Sequence, residues 1–428
     1  VRLSCSDPDS RTSTSITDHT FDLNPIIQVS TVPPDLDLPF SSLIHRIGGK
    51  STDVWEIHYE AKKRQQHDDD VIVLSVGEES DEYTPREIQQ AGIESIESGR
   101  HHYTSVLGDD RLRHNIAVRH QSRTGQQVST DNVCVFSGAQ NALFAASLCL
   151  LEHGTEVIVP ELYYATYPAS VKLSGATMIP LPTDVSNGFQ IDIDALESAI
   201  TQRTRAILLN SPNNPTGAVY SRNLLMQIVE LCLKNNIWII SDEVYAEIAP
   251  QDFVSVSSLT GADDITITIS SMSKSHRMTG WRCGWTVAPE SLNDQFYNLN
   301  MCMAYGLPPF IQDAAAYALE QNQHTAIVVR DKLMRNRDVV KGVLSHMHGA
   351  HLYAEGGGMF AVLDVRPLGQ SSSEFAWGLL NEQKVSLLPC DGFGSSGQGL
   401  LRISLCLDEG TLRRAAQRIL TYVETITG

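Results

Sequence analysis

From about residue 90 onward, short apolar runs alternate with longer amphipathic stretches. Strands buried on both faces have nearly continuous apolar runs, whereas amphipathic helices repeat every three to four residues. Two helices fit residues 221–235 and the segment before Gly154. The apolar runs predict strands at 156–159, 177–181, 205–209, 237–241 and 265–269. This alternation predicts an α/β fold with a mostly parallel central sheet in a large domain covering residues 90–317.

Beyond residue 318 the pattern changes. A long charged helix is predicted around Arg330 and Asp338, followed by short strand-like pieces. We expect a smaller α+β domain made of residues 318–428, joined by residues 41–89. Residues 1–40 are rich in Ser, Thr, Asp and Pro and are predicted to be a disordered polar leader.

Composition narrows the class of protein. The formal net charge of −18 argues against nucleic acid or an anionic membrane surface as a partner. No uncharged apolar run approaches the ~20 residues of a membrane-spanning helix. The eight cysteines lack CxxC spacing. They are therefore predicted to be reduced and mostly buried, which favours the cytosol, and no metal site is expected.

Residues 270–285 concentrate side chains suited to an aldehyde and a phosphate. Lys274 lies among small hydroxyl residues, and a desolvated lysine can form a Schiff base with an aldehyde. Ser271 and Arg282 suit a phosphate held by charge-assisted hydrogen bonds. An aldehyde and a phosphate on one small molecule describe pyridoxal 5′-phosphate. The alternative is a surface lysine near a glycine-rich turn, which the spacing of the flanking residues disfavours.

Two upstream strand ends carry polar residues suited to the same cofactor. Asp242 follows the strand at 237–241, and its carboxylate can pair with a protonated pyridine nitrogen. Tyr245 could donate to the ring's phenolic oxygen. Asn214 stands before a proline in the loop after the strand at 205–209, which fixes its amide direction. Alternatively, Asp242 caps the next helix and the Asn214 loop is an ordinary turn.

These motifs together resemble the class I and II aminotransferases of fold type I. The family pattern is Asn-Pro-x-Asn-Pro-Thr-Gly, then Asp-x-x-Tyr, then Ser-x-Ser-Lys-x-x-x-(Met/Leu)-x-Gly-x-Arg-x-Gly. The chain departs from it where Ser211 precedes Pro212. The resemblance runs from about His45 to the C-terminus. It implies a homodimeric, pyridoxal-phosphate-dependent enzyme that moves the α-amino group of an L-amino acid to a 2-oxo acid by a ping-pong mechanism.

The resemblance also implies a role for each matching residue. The implied catalytic residues are Lys274, Asp242 and Tyr245. The implied cofactor-binding residues are Ala139, Gln140, Tyr164, Asn214, Asp242, Tyr245, Ser271, Lys274, Arg282 and, from the neighbouring subunit, Tyr103. The implied substrate-binding residues are Gly77, Asn214 and Arg402. Alternatively, Tyr164 is a core aromatic residue, Arg402 forms a surface ion pair and Gly77 serves only a turn.

The expected substrate is inferred from shorter stretches of the chain that resemble particular members of the family. Residues 55–59 and 302–306 resemble transaminases that act on arginine and pyruvate, so we expect a basic donor and pyruvate as acceptor. The acids Glu78, Glu79, Asp81 and Glu82 replace the family's usual Asp-Pro-Asp-Phe after Gly77. They could attract a guanidinium or form a solvated acidic loop. A C–S β-lyase and a cyclising lyase remain alternatives, because the shared motifs do not separate them. A catalytically silent binding domain is a further alternative, which the presence of Lys274, Asp242 and Arg402 disfavours.

Overall fold

The computed structural model describes residues 39–47, 53–79 and 83–428. The predicted polar leader therefore lies almost entirely outside the described residues, as do Cys5, Asp81 and Glu82. The α-helices are α1 (Glu56–Gln65), α2 (Arg86–Glu97), α3 (Asp110–Thr124), α4 (Ala139–Leu150), α5 (Tyr167–Ser174), α6 (Ile193–Ala199), α7 (Arg222–Asn235), α8 (Glu290–Met303), α9 (Pro309–Gln321), α10 (Gln323–Leu344), α11 (Ser372–Gln383) and α12 (Glu409–Thr427). The strands are β1 (Ile72–Val73), β2 (Val133–Phe136), β3 (Glu156–Pro160), β4 (Thr177–Leu181), β5 (Thr204–Asn210), β6 (Trp238–Asp242), β7 (Thr266–Ser271), β8 (Gly284–Val287), β9 (His351–Tyr353), β10 (Phe360–Asp364), β11 (Val385–Ser386), β12 (Leu388–Pro389) and β13 (Leu400–Ser404).

A seven-stranded sheet forms the centre, in the order β2-β8-β7-β6-β5-β3-β4. The strands from β7 to β4 in this order pair in parallel, and only the pairs made by β8 are antiparallel. Its central strands β5, β6 and β7 are buried along nearly their whole length, which explains their continuous apolar runs. The predicted α/β fold with a mostly parallel sheet is confirmed.

The register of these central strands places their polar ends side by side. Asn210, the last residue of β5, lies opposite Asp242, the last residue of β6. Asp242 in turn pairs with Ile269 of β7, two residues before that strand ends at Ser271. Because parallel strands end at one edge of the sheet, three loops that carry polar residues meet there.

A second, antiparallel sheet has the order β12-β13-β10-β9. Its strand β13 carries Arg402, paired in register with Val362 and Leu388. Residues of α1 and β1 share one hydrophobic core with α10, α11 and α12. This packing brings early and late parts of the chain together. The domain boundaries near residues 90 and 318 remain a prediction.

The remaining expectations from composition concern cysteines and membranes. The seven cysteines in the described ranges are all free, and most of them are buried, as predicted for these positions. In the same part of the chain, no group of His, Cys, Asp and Glu side chains is arranged to hold a metal ion. Among the described helices, none is long and apolar enough to cross a membrane.

Candidate active site

The polar edge of the central sheet opens into a cavity of about 240 Å³. Eleven of the twelve predicted site residues line this cavity. They are Gly77, Ala139, Gln140, Tyr164, Asn214, Asp242, Tyr245, Ser271, Lys274, Arg282 and Arg402. The structure thus brings together residues that lie more than three hundred positions apart along the chain.

Lys274 lies in the turn that follows β7. Its Nζ atom donates a hydrogen bond to the carbonyl oxygen of Gly77 at 2.9 Å. The walls of the cavity desolvate the ammonium, and this desolvation lowers the pKa of Lys274. A lysine amine of lowered pKa that faces a cavity is suited to attack a carbonyl carbon or to carry a proton.

Asp242 is a buried carboxylate at the end of β6. Its Oδ2 atom accepts a hydrogen bond from the Tyr167 hydroxyl at 2.5 Å, and its Oδ1 atom accepts one from the Val244 amide at 3.3 Å. Burial is the main cause that raises the pKa of Asp242 to about 6, with a smaller contribution from Glu243. Within the described ranges no cation pairs with this carboxylate, so a protonated ring nitrogen entering the cavity would supply the missing charge.

Tyr167 is a site residue that the sequence pattern did not identify. It begins α5, is fully buried, and lies edge-to-face with Tyr164 at a ring separation of 5.8 Å. Its hydroxyl donates to Asp242 and so orients that carboxylate. The only local signal was its position three residues after Tyr164, which is also the spacing of two ordinary core aromatic residues.

Arg402 is the most deeply buried cation of the site, with 2% of its surface exposed. Its Nη1 atom donates to Asn214 Oδ1 at 2.9 Å, and its Nη2 atom donates to the Ser75 carbonyl at 2.6 Å. The guanidinium carbon lies 4.3 Å from the centre of the Phe360 ring. No carboxylate of the described residues pairs with it, and its Nε atom has no hydrogen-bond partner. Arg402 is therefore not in a surface ion pair, and a ligand carboxylate would supply the missing anion.

The Asn214 amide lies between this arginine and the phenol of Tyr245. Asn214 Nδ2 is 3.4 Å from the Tyr245 hydroxyl, while its Oδ1 atom accepts from Arg402. The Asn214 backbone amide donates to the side chain of Asn210 at 2.8 Å, which anchors the loop to the end of β5. A ligand that reaches this point meets an amide donor and a phenol donor together.

The N-terminus of α4 forms the opposite end of the cavity. Its N-cap residue, Gly138, has no side chain to cap the helix and adopts a φ of 89°, where a larger residue would collide with Arg282. Ala139 and Gln140 begin the helix, so their amides and the guanidinium of Arg282 create a positive end. With the hydroxyl of Ser271, these groups make an anion site suited to a phosphate.

Tyr103 is the one predicted residue that does not line the cavity. It is 89% exposed, and its ring lies 5.1 Å from that of Tyr305. The expectation that it serves the site of a neighbouring subunit remains a prediction.

The environment of Glu79 differs from both expectations for the acidic segment after Gly77, namely a solvated loop and a site for a substrate guanidinium. It is only 7% exposed, and its carboxylate pairs with Arg277 at 2.9 Å and with Lys332 of α10 at 2.9 Å. For Glu79 both earlier alternatives are wrong, because its charge is neither solvated nor free to bind a guanidinium from a substrate. The sequence could not reveal this, because Lys332 lies far along the chain.

Together these groups fit one cofactor. The phosphate site, the unpaired Asp242 carboxylate and the Lys274 amine match the phosphate, ring nitrogen and aldehyde of pyridoxal 5′-phosphate. A mostly parallel sheet with these groups at its carboxyl edge defines the pyridoxal-phosphate-dependent transferases of fold type I.

Comparison with known proteins identifies the family within this class of transferases. The family described as aminotransferase class I and II matches residues 69–419, and the chain belongs to this family. It is 43% identical to arginine–pyruvate transaminase AruH of Pseudomonas aeruginosa over 91% of this chain and 99% of that protein. It is 33% identical to the putative aminotransferase YugH of Bacillus subtilis over 83% of this chain and 92% of that protein.

Solved structures agree on the fold. Aspartate aminotransferase of Thermotoga maritima superposes with a TM-score of 0.84 at 32% identity, covering 90% of this chain and 100% of that one. A single mutant of the Thermus thermophilus aspartate aminotransferase gives a TM-score of 0.84 at 26% identity, with the same coverage. The protein is an aminotransferase.

Proposed function

We propose that this aminotransferase uses pyridoxal 5′-phosphate to move the α-amino group of a basic L-amino acid, such as arginine, to a 2-oxo acid such as pyruvate in a ping-pong cycle. The observation that carries the proposal is the buried Arg402 guanidinium, without a carboxylate partner, in the same cavity as Lys274. An amino acid and a 2-oxo acid both carry the carboxylate that this guanidinium lacks.

The cofactor would be held at three points. Ala139, Gln140, Ser271 and Arg282 would bind its phosphate, and Asp242 would bind its ring nitrogen. Asn214 and Tyr245 would bind its phenolic oxygen, with Tyr164 against the ring. When bound, pyridoxal 5′-phosphate supplies the electron sink that stabilises negative charge at the substrate's α-carbon.

Residues of the chain would transfer the proton of the substrate's α-carbon and bind the substrate's α-carboxylate. The amine of Lys274, with its lowered pKa, accepts the proton from the α-carbon and returns it at the end of the proton shift. Arg402 grips the α-carboxylate bidentately, and its contacts with Asn214 and Ser75 fix the orientation of its guanidinium. Gly77 borders the same carboxylate through its backbone. Desolvation around Arg402 strengthens its ion pair with that carboxylate.

The choice of donor is supported by similarity to the protein named arginine–pyruvate transaminase. The test presents a panel of L-amino acids with pyruvate and measures the 2-oxo acid and alanine formed. We expect arginine or lysine to give the highest kcat/KM. Preference for an aromatic or acidic donor would overturn the proposed donor. Release of ammonia and pyruvate from cystine without an acceptor would indicate a C–S lyase instead.

We further propose a homodimer in which Tyr103 of each subunit completes the phosphate site of the other. The exposure of Tyr103 and of its ring neighbour Tyr305 supports this proposal. The cytosolic location predicted from the cysteines remains a prediction.

A further inference from the structure

A second cavity, of about 270 Å³, adjoins the active-site cavity. The two share Ser273, Lys274 and Thr279 in their walls. Glu78 and Met359 line the second cavity but not the first. A substrate whose α-carbon lies beside Lys274 therefore has room to extend a long side chain past Thr279 towards Glu78.

The two glutamates that line this second cavity, Glu78 and Glu79, differ in their ion pairing. Glu79 and Arg277 neutralise each other, and Lys332 adds a second cation to Glu79. Glu78, by contrast, accepts a hydrogen bond from the Thr279 hydroxyl. In residues 39–47, 53–79 and 83–428, no cation lies within ion-pair distance of Glu78. Glu78 is thus the carboxylate of this cavity wall that is not held in an ion pair by a described residue.

The position of Glu78 relative to the reacting group is fixed by its neighbour. The carbonyl oxygen of Gly77 accepts the hydrogen bond from Lys274 Nζ, and Glu78 is the next residue along the chain. This hydrogen bond therefore holds the backbone at Glu78 near the amine. The side chains of Glu78 and Lys274 line the same cavity, and the negative charge of Glu78 opposes the lowering of the Lys274 pKa. The Thr279 hydroxyl then restrains the carboxylate on the cavity wall.

We propose that Glu78 is a specificity-determining residue that binds the distal cation of a basic donor amino acid. This inference rests on the proposed function and names the residue that would select its substrate class. A charge-assisted hydrogen bond between carboxylate and guanidinium discriminates strongly against a neutral side chain of the same shape.

Arginine and citrulline provide the test, since citrulline keeps the length and shape of arginine but replaces the guanidinium with a neutral urea group. The ratio of kcat/KM for arginine to that for citrulline is measured with pyruvate in wild type and in Glu78→Gln. We expect the ratio to fall roughly tenfold or more in the variant, as for loss of one charge-assisted hydrogen bond. Glu78→Asp keeps the charge and should retain a larger part of the ratio.

Glu230→Gln is the matched control, because it removes an exposed glutamate from α7 that lines neither cavity. Its ratio should equal that of wild type. An unchanged ratio in Glu78→Gln, or an equal loss for both substrates, overturns the inference while leaving the basic donor in place. If wild-type enzyme prefers acidic or aromatic donors, the proposed donor is wrong and the role of Glu78 is rejected with it.

Discussion

Arg402 Nη1 donates a hydrogen bond to Asn214 Oδ1 across 2.9 Å, joining β13 of the small sheet to the loop after β5 of the central sheet. The same amide faces the Tyr245 hydroxyl through its nitrogen. The two ends of one asparagine side chain therefore contact the groups assigned to the substrate carboxylate and to the cofactor's phenolic oxygen.

Replacing Arg402 with lysine tests the carboxylate assignment. Lysine keeps the charge but has neither the planar fork nor the reach to hold Asn214 and a carboxylate together. We expect kcat/KM to fall roughly 100-fold for the amino acid and for the 2-oxo acid alike, because both carry the same carboxylate. Single-turnover measurements of the two half-reactions check this. Loss in only one of them would contradict a shared carboxylate site.

Replacing Lys274 with alanine tests the attachment of the cofactor. We expect reduction of the wild-type protein with borohydride to fix pyridoxal phosphate on the peptide that contains Lys274, as detected by mass spectrometry. The alanine variant should carry no label at this peptide and show no turnover, because both the nucleophile and the proton carrier are lost. Label on another lysine of the wild type would show that the assignment is wrong.

The raised pKa of Asp242 predicts a pH-dependent effect on stability. Burial raises this pKa from 3.8 to about 6, so the folded protein without cofactor binds this proton more tightly than the unfolded chain does. The stabilisation from this proton is complete below about pH 4 and is lost as the pH rises to about 6. At one pKa unit per ~1.4 kcal/mol, ionisation then costs on the order of 3 kcal/mol.

Asp242→Asn cannot ionise but can still accept from Tyr167. Without cofactor, we expect its free energy of unfolding to exceed that of wild type by up to about 3 kcal/mol at pH 7.5, and by much less near pH 4. Urea unfolding at several pH values measures the difference. The variant should also lose most activity, since an amide cannot pair with a protonated ring nitrogen. A stability difference independent of pH would show that the pKa of Asp242 is the same in the folded protein as in the unfolded chain.

Residues marked by a local pattern were predictable from the sequence. Asp242, Lys274 and Asn214 each follow a buried apolar strand, and parallel strands necessarily bring their carboxyl ends to one edge. Tyr167 was not predictable in this way, because its hydroxyl reaches Asp242 across 75 positions of the chain. The same holds for Phe360, whose ring packs on the Arg402 guanidinium from a neighbouring antiparallel strand. Local pattern locates the reactive groups, whereas their partners depend on tertiary packing.

The ion pairs of Glu79 were likewise not predictable from the local sequence. A run of acidic residues on a loop is usually solvated. In this protein the tertiary fold places Lys332 and Arg277 against the carboxylate of Glu79. We expect Glu79→Gln to destabilise the protein by about 3 kcal/mol, because two largely buried cations lose their common counter-charge. Glu355→Gln, which breaks the exposed pair with Lys341, should cost less than about 1 kcal/mol. Equal losses in urea unfolding would contradict a buried ion-pair cluster at Glu79.

The last prediction concerns Tyr103, whose exposed side chain does not line the active-site cavity of its own subunit. If it completes the phosphate site of a neighbouring subunit, Tyr103→Phe and Lys274→Ala homodimers should each be strongly impaired. A hybrid of the two chains has one site with both wild-type groups, so mixing and reassembly should restore activity. Mixing Lys274→Ala with a Tyr103→Phe/Lys274→Ala chain is the control and should restore none, because no site then has the lysine. Sedimentation velocity establishes that dimers form in both mixtures. Full activity of a monomer, or dimers that show no restoration in the first mixture, would show that Tyr103 does not act across subunits.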